Sequence, residues 1–373
     1  MINFIELTNF KCFRKSQFQF GKLTVFCGSN GAGKSSIIQS LLFAQLGSRL
    51  AGSERNSVAL NGLYGLELGT VADVLSHNAE TDSISIKVAA DDGDAEFIFD
   101  AAPGRHEDRF LTTTSKPSKR LESLDTRKTF NFQYLSADRH GPKDTQIRQS
   151  EPASSLTIGC KGEYVAEVVA AFERERIGPQ RCNPKMQSEN DLLLRQLELW
   201  MADWCPGILV KAGTYPDSNV AYIRIKRKVV NSDWMLPTNM GFGISYSLPI
   251  VAAGLLAADG GILIVDSPES HLHPSGQSAM GNFLAAIAAS GVQVVVETHS
   301  DHILNGFRIA AMDRQNGIQP ADIIFYHSLT DESNWLDFDR VSITQTGGLS
   351  NWPKGFFDQR EIDLARLSKL KSM

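Results

Sequence analysis

Apolar residues near the start of the chain fall into two short runs that predict β-strands, within residues 2–7 and 23–27. Residues 35–46 follow, lack Pro and Gly, and place apolar residues such as Ile37 and Leu41 at helical spacing. The glycine-rich stretch before them is therefore predicted to be a turn that joins a strand to a helix.

The middle of the chain changes pattern several times. Residues 68–99 are strand-like on either side of an acidic turn at 91–94, which predicts a meander beside the glycine-rich turn. Residues 103–128 are polar and lack apolar periodicity, so we predict a loop. Amphipathic patterns at 162–175 and 189–204 predict two helices, which together indicate an inserted helical lobe.

Basic residues are concentrated in two segments. Residues 221–229 predict a strand with Arg224, Lys226 and Lys228 on one face, which is either a solvated surface or a strip that binds phosphates. The basic residues within 103–128 have two similar interpretations: they belong to a solvated loop, or they contact nucleic acid.

The last third of the chain alternates between helices and strands. The pattern predicts helices at 245–256, 274–289 and 300–312, with strands at 262–265 and 292–296 between them. Because strands connected through helices lie parallel, this region indicates an α/β fold.

Composition places the chain among ordinary globular proteins. Its 373 residues are 42% hydrophobic and 21% charged, and this length suits one large domain with insertions or two domains. The net charge of −5 excludes a protein whose whole surface is a cation for nucleic acids, although a local basic patch stays open. The five cysteines have no metal-ligand spacing, which argues against a disulfide framework and a zinc site.

The sequence also indicates whether the chain spans a membrane or carries a signal peptide. It has no stretch with the roughly 18 apolar residues of a membrane span. Charges at Glu6, Lys11 and Arg14 interrupt the first residues, unlike the apolar core of a signal peptide. We therefore expect a cytoplasmic protein without a membrane partner.

The glycine-rich turn fits the phosphate-binding pattern G-x-x-x-x-G-K-[ST] between a predicted strand and a predicted helix. Its backbone N–H groups would surround an anion, and the helix beginning near Lys34 adds its positive dipole end. Lys34 would contact the β- and γ-phosphates of ATP, and Ser35 would bind Mg²⁺. The candidate ATP-binding residues here are Gly28, Ser29, Asn30, Gly31, Ala32, Gly33, Lys34, Ser35 and Ser36.

A second set of polar residues follows the apolar strand that ends at Asp266. This carboxylate has the position of a Walker B residue and would hold Mg²⁺ beside the phosphate loop. The rigid polar segment 267–274 comes next and ends with Pro at the start of a helix. His299 follows the strand at 292–296, where it would sense the γ-phosphate.

Several segments resemble the ABC-type ATPases of the SMC, RecF and OLD (overcoming lysogenization defect) group. They are the phosphate loop and residues 134–139, 268–274, 297–302 and 347–358. Within that group the chain is most similar to AAA-labelled ATPases with a short C-terminal domain of unknown function. The resemblance implies an α/β ABC-type P-loop ATPase head with a mixed sheet, an antiparallel β subdomain and an inserted helical lobe.

The patterns and the resemblance together divide the chain into four parts. We expect an N-terminal ATPase lobe at 1–140, the helical lobe with the basic strand at 141–238, a C-terminal ATPase lobe at 239–330 and a short family domain at 331–373.

The resemblance also implies an ATP site shared between two copies of the chain. Residues 239–245 correspond to the ABC signature, whose Gly243 and Ser245 would close over the ATP of another subunit in a homodimer. Residues 270–273 correspond to the D-loop of that interface, and His299 to the switch histidine. Relatives commonly have Gln after the signature serine, whereas this chain has Tyr246.

The residues for hydrolysis depart from the usual pattern. Active ABC ATPases have a glutamate after the Walker B carboxylate to orient the attacking water, whereas this chain has Ser267, whose hydroxyl is a poor base. The departure indicates slow turnover or a substitute. Glu269 is the nearest candidate for a substitute base, or else it braces the dimer interface.

The predicted function is a Mg²⁺-dependent ATPase that works as a dimeric conformational switch. Relatives are often encoded in bacterial anti-phage defence systems, where the ATPase controls an effector such as a nuclease. Too few residues follow His299 for the Toprim nuclease domain of OLD proteins, so we expect any nuclease to be a partner. Two alternatives stay open: a DNA-repair or DNA-structure sensor that clamps double-stranded DNA through Arg224, Lys226 and Lys228, and a nucleotide-gated scaffold that scarcely hydrolyses ATP.

Overall fold

The computed structural model describes residues 1–51, 53–115, 120–186, 190–228, 233–313, 317–330, 336–351 and 359–371. The strands are β1 (Ile2–Phe10), β2 (Phe13–Gln19), β3 (Leu23–Gly28), β4 (Ser57–Ala59), β5 (Ser83–Ala90), β6 (Gly93–Asp100), β7 (Phe110–Ser115), β8 (Phe132–Leu135), β9 (Gln146–Ile147), β10 (Ile208–Thr214), β11 (Val220–Arg227), β12 (Ile262–Asp266), β13 (Gln293–Glu297), β14 (Ile323–Thr330) and β15 (Leu336–Val341). The helices are α1 (Lys34–Ser48), α2 (Val71–Val74), α3 (Val165–Phe172), α4 (Leu193–Met201), α5 (Phe242–Leu256), α6 (Pro274–Ala289), α7 (Asp301–Met312) and α8 (Gln359–Lys371).

A six-stranded sheet in the order β15-β14-β3-β13-β12-β8 forms the centre of the fold. Its neighbouring strands are parallel except β14 and β15, which are antiparallel, so the sheet is mixed. The inner strands β3, β12 and β13 are almost entirely buried, because both faces of the sheet are covered. This arrangement confirms the predicted α/β class.

A second, antiparallel sheet has the order β2-β1-β5-β6-β7-β4. In β5, Ile84, Ile86 and Val88 are fully buried and alternate with partly exposed residues, as expected for a sheet with one covered face. Its apolar face shares a core cluster with α1 and with central-sheet residues such as Phe26 and Ile264. This sheet is the predicted antiparallel β subdomain.

The prediction of a loop over residues 103–128 is wrong for part of that segment. β7 lies within it, pairs with β4 and β6, and buries Leu111 completely. The strand reads as polar because three of its residues are threonines, which are nevertheless β-branched and favour strands when a partner strand is available. Residues 116–119 lie outside the described part of the chain.

The helical lobe consists of α3, α4 and a three-stranded antiparallel sheet in the order β10-β11-β9. Both helices are shorter than the sequence predicts, and residue 189 lies outside the described residues. Trp200 of α4 is 2% exposed and packs edge-on against Phe283 of α6, with ring centroids 5.1 Å apart. The lobe therefore shares one core with α5, α6 and α7.

The C-terminal part of the chain adds strands to the central sheet. β14 pairs in parallel with β3, and β15 returns antiparallel to β14. Residues 352–358, which carry part of the family resemblance, lie outside the described residues. Among the helices that the structure describes, none combines the length and the hydrophobicity needed to cross a membrane.

The carboxyl ends of β3, β13 and β12 lie side by side at one edge of the central sheet. The register places Asp266 of β12 opposite Glu297 of β13, and Glu297 opposite Phe26 of β3. Ligands of open α/β sheets bind beyond the carboxyl ends of parallel strands. The phosphate loop and the polar residues after β12 and β13 therefore meet at this edge.

Candidate nucleotide-binding site

The phosphate loop runs from the end of β3 to the first residue of α1. Gly28 and Gly33 have φ values of +122° and +73°, which favour glycine over residues with a Cβ. A Cβ at Gly33 would also lie 2.7 Å from the Cys12 Sγ, so the loop passes close to the β1–β2 turn. This backbone leaves the N-terminus of α1 without a side-chain cap, as required of a helix end that binds an anion.

Lys34 is 3% exposed and its ammonium lies inside the loop. Its Nζ donates to the carbonyl oxygens of Gly28 at 3.2 Å and Ser29 at 2.6 Å, and lies 3.9 Å from Glu297 Oε1. Burial lowers the pKa of Lys34, and the neighbouring Glu297 carboxylate opposes that effect. The loop carbonyls thus hold a cation where a phosphate would contact it.

Asp266 and Ser267 lie at the end of β12. The Ser267 Oγ donates to Asp266 Oδ1 at 3.0 Å, and the Ser267 N–H donates to the Glu297 carbonyl at 2.9 Å. Ser267 has a φ of +49°, an uncommon conformation for a residue other than glycine, and such strain is concentrated at functional sites. Burial raises the pKa of Asp266, whereas the hydrogen bond from Ser267 and the charge of Arg139 oppose that effect.

Glu297 is a site residue that sequence reasoning missed. It ends β13, the strand between the phosphate-loop strand and the Walker B strand, and is 4% exposed. Its Oε1 accepts a hydrogen bond from the Ser35 Oγ at 3.1 Å, whereas its Oε2 has no partner among the described residues. Burial and the nearby Asp266 raise the pKa of Glu297 to about 7. An acidic residue directly after the three valines 294–296 of the strand was the available signal.

Glu269 and His299 are in contact, although 30 residues separate them. The Glu269 carboxylate accepts from the Thr298 Oγ at 2.7 Å and from the His299 backbone N–H at 2.9 Å. Glu269 does not line the cleft beside the phosphate loop, whereas His299 does. Burial and the charge of Lys34 lower the pKa of His299, which favours its neutral form.

Arg139 is a second residue whose role the sequence did not reveal. It is 2% exposed, and its guanidinium donates to the carbonyls of Ser136 and Asp266 at 2.6 Å and of Ser267 at 2.7 Å. It also lies 5.5 Å from the ring centroid of Tyr246. Burial lowers the pKa of Arg139 to about 10. Arg139 therefore connects the end of β12 to α5. In the sequence, only its place in segment 134–139, which carries part of the family resemblance, pointed to this residue.

The cleft has a volume of about 420 Å³ and brings together most of the predicted site residues. It is lined by Lys11, Cys12, Asn30, Gly31, Ala32, Gly33, Lys34, Ser35, Ser36, Ala137, Asp266, Ser267, Glu297 and His299. Gly28 and Ser29 lie behind it and contact Lys34. The cleft therefore joins the phosphate loop to the ends of both neighbouring strands.

Gly243 and Ser245 do not line this cleft. α5 begins at Phe242, not at Ser245 as predicted. A Cβ at Gly243 would lie 2.6 Å from the His271 carbonyl, so α5 packs tightly on the segment after β12. Ser245 lines a separate small cavity near Gly141.

The residues of the cleft fit Mg²⁺, which commonly takes one or two carboxylates together with substrate phosphates. The Ser35 hydroxyl and the Asp266 and Glu297 carboxylates supply hard oxygen donors at one end of the cleft. Among the described residues, no group of three or more His, Cys, Asp or Glu side chains is arranged to hold a metal without a substrate. The Ser35 hydroxyl and the two carboxylates are donors of the type that Mg²⁺ takes together with substrate phosphates.

Two protein-family models match this chain. Residues 23–305 match a family described as "AAA domain, putative AbiEii toxin, Type IV TA system". The chain belongs to this AAA-domain family. Residues 318–367 match a second family, "Protein of unknown function (DUF3696)". Both matches confirm the recognition from sequence, and the AAA domain contains the whole cleft except Lys11 and Cys12.

Solved structures similar to this AAA-domain protein show its fold. An SMC head bound to the C-winged helix domain of ScpA is 15% identical with a TM-score of 0.56, and the match covers 92% of this chain and 98% of that chain. An SMC head with an extended coiled coil, bound to the C-terminal domain of ScpA and derived from Pyrococcus furiosus, is 12% identical with a TM-score of 0.52, covering 91% and 96%. The fold is that of an SMC-head ABC-type ATPase. The comparison with curated proteins finds no match.

Proposed function

We propose that this protein binds ATP with Mg²⁺, hydrolyses it slowly, and uses the bound nucleotide as a conformational switch. The observation that carries the proposal is the single cleft in which Lys34 and Ser35 of the phosphate loop face Asp266, Glu297 and His299. The family and the fold support nucleotide binding by this protein.

Each residue has a proposed task. Lys34 would leave the carbonyls of Gly28 and Ser29 to pair with the β- and γ-phosphates, and the loop N–H groups would surround them. Bound Mg²⁺, held by Ser35 and Asp266, would neutralise charge on the phosphate oxygens.

The residues proposed to handle the attacking water are Ser267, His299 and Glu269. Ser267 and His299 line the cleft, so their side chains can orient a water molecule beside the γ-phosphate. The contacts of Glu269 support an indirect task, since its carboxylate holds the backbone of His299 in place. Slow turnover is supported by Ser267, because its hydroxyl is a poor base at the position after the Walker B carboxylate.

We propose that a second copy of the chain completes the site. Gly243 and Ser245 lie outside their own cleft, and Phe242 beside them is 53% exposed. A helix N-terminus that is exposed in this way suits the γ-phosphate of a partner's ATP. The ATP would then hold two copies together, and hydrolysis would release them.

The partner proposed for this switch is an effector such as a nuclease in a bacterial anti-phage defence complex in the cytoplasm. The family description, which names a toxin and a toxin–antitoxin system, supports a role in defence. The similar SMC heads were solved bound to a ScpA domain, which supports a head that acts through a bound protein. Purification of the native complex and mass measurement would identify the partner, and a complex that contains only this chain would contradict the proposal.

Turnover tests the ATPase proposal. Phosphate release should depend on Mg²⁺ and fall by about a hundredfold or more in Asp266→Asn, which removes a carboxylate from the metal site. Ser267→Glu should raise turnover, because a base then follows the Walker B carboxylate. Wild-type turnover in Asp266→Asn would contradict the assignment, and Glu107→Gln, a change of an exposed carboxylate that does not line the cleft, is the control.

A further inference from the structure

One face of the β10–β11 hairpin carries basic strand residues that the sequence singles out, and it takes no part in the cleft. Val210, Ile223 and Ile225 point into the core, and the residues between them form the opposite face of the hairpin. In the register of the two strands, Lys211 lies opposite Arg224 and Gly213 lies opposite Tyr222. We call this surface, formed by Lys211, Gly213, Tyr222, Arg224 and Lys226, the hairpin face.

Tyr222 and Arg224 of the hairpin face form a connected group with Tyr215, which directly follows β10. The Arg224 guanidinium lies 5.1 Å from the ring centroid of Tyr222, and the Tyr215 ring is 4.9 Å from the Tyr222 ring. Arg224 Nη2 also donates to the Tyr215 hydroxyl at 3.0 Å. A Cβ at Gly213 would lie 2.7 Å from the Tyr222 hydroxyl, so only glycine lets this ring lie across β10. The aromatic rings are thus held in place, and Tyr215 stays 39% exposed.

The charge of the hairpin face is uniformly positive. Like charges directly opposite each other on neighbouring strands destabilise a sheet, and Lys211 and Arg224 are such a pair. Within the part of the chain that the structure describes, Lys211, Arg224 and Lys226 form no ion pair with a carboxylate. The whole chain has a net charge of −5, so this basic surface is local. An anionic ligand would relieve the repulsion.

We propose that the hairpin face binds single-stranded nucleic acid, with phosphates on Lys211, Arg224 and Lys226 and an unpaired base stacked on Tyr215. Arg224 and Lys226 are two residues apart on β11, which separates them by about 6.6 Å, a distance comparable with the spacing of successive phosphates in an extended strand. Aromatic side chains stack on bases that are unpaired, whereas bases in a duplex already stack on each other. The combination of exposed tyrosine and cations therefore favours a single strand over a duplex. This inference does not depend on ATP hydrolysis.

Fluorescence anisotropy of a labelled oligothymidine, titrated with the full chain at several salt concentrations, tests the proposal. Wild-type protein should bind the single strand more tightly than the same sequence in a duplex. The double variant Lys211→Gln with Lys226→Gln should lower the slope of log affinity against log salt by about 1.4, at about 0.7 for each phosphate contact. Tyr215→Ala should weaken binding by about 5- to 150-fold.

The matched control is Lys15→Gln with Lys185→Gln, which removes the same charge from exposed sites outside the hairpin face. It should bind as wild type does, and ATP affinity should be unchanged in all variants, which shows that they are folded. Equal affinity of the hairpin-face double variant and the wild type would overturn the proposal. The proposal would also be overturned if the protein bound duplex or polyglutamate as tightly as the single strand and Tyr215→Ala had no effect on binding. The surface would then be a general anion binder.

Discussion

Replacement of Glu269 separates a structural role from a catalytic one. Its carboxylate accepts two hydrogen bonds, from the Thr298 hydroxyl and the His299 N–H. Bonds to a charged acceptor contribute about 1.5–3 kcal/mol each, and the lower value applies because His299 is partly exposed. Glu269→Ala removes both bonds and should lower the free energy of unfolding by about 3 kcal/mol. Glu269→Gln can keep both contacts as neutral bonds, which are about half as strong, so its cost should be about 1.5 kcal/mol.

Chemical denaturation of the nucleotide-free protein measures these differences, with Glu107→Gln as a control whose exposed carboxylate forms no contact of this kind. We expect both Glu269 variants to keep ATP affinity, because this side chain lies outside the cleft. An unchanged unfolding transition in Glu269→Ala would refute the reasoning from its contacts. If Glu269→Gln lost turnover by about a hundredfold or more while its stability stayed that of wild type, Glu269 would be the general base and not a brace.

Three further predictions concern the cleft and its closure. Cys12 is exposed and lines the cleft, so Mg·ATP at ten times its dissociation constant should slow alkylation of this thiol about tenfold by mass action. Mass spectrometry measures the alkylation, with Cys12→Ser as the blank. If Mg·ATP does not protect Cys12, ATP binds elsewhere. The raised pKa of Glu297, about 7 against an ordinary 4.5, means that its ionised form is disfavoured in the folded state beside Asp266. The metal-free protein should therefore lose up to about 3 kcal/mol of stability as the pH rises between these two pKa values. Glu297→Gln should remove most of this pH dependence in denaturation experiments. An equal pH dependence in the variant would show that Glu297 is not the titrating group. Ser245→Arg should spare ATP binding but prevent ATP-dependent dimerisation in light scattering, and an undiminished dimer would contradict a site shared between two copies.

The parts of the fold that the sequence predicts well are those with local causes. The phosphate loop has its glycines, lysine and serine within eight residues, and the strand and helix on either side are read from periodicity alone. The bounds of α6 agree with the prediction for the same reason, because Pro274 marks its first turn.

The parts that the sequence does not reveal depend on contacts between distant segments. Glu297 is a site residue only because β13 lies between β3 and β12, and strand order is a property of the folded sheet. Arg139 reads as an ordinary basic residue until the carbonyls of Asp266 and Ser267 surround its guanidinium. β7 became a strand through its pairing with β6, which periodicity within 103–128 does not indicate.

The helix α5 begins three residues earlier than the sequence predicts. Gly243 lies in its first turn, although glycine is unfavourable inside a helix. In the structure the helix starts at Phe242, and Gly243 allows its first turn to approach the His271 carbonyl. Close packing of the helix on that segment therefore outweighs the low helix propensity of glycine.

The most direct test of the central claim is isothermal titration of Mg·ATP into wild-type protein and into Lys34→Ala. Wild type should bind one ATP per chain. Lys34→Ala should keep the wild-type circular dichroism spectrum and lose most of the affinity, because the only buried ammonium in the described cleft is then absent. Lys185→Ala, a change of an exposed lysine outside the cleft, should bind as wild type does. Equal ATP affinity in folded Lys34→Ala would contradict the assignment of this cleft as the nucleotide site.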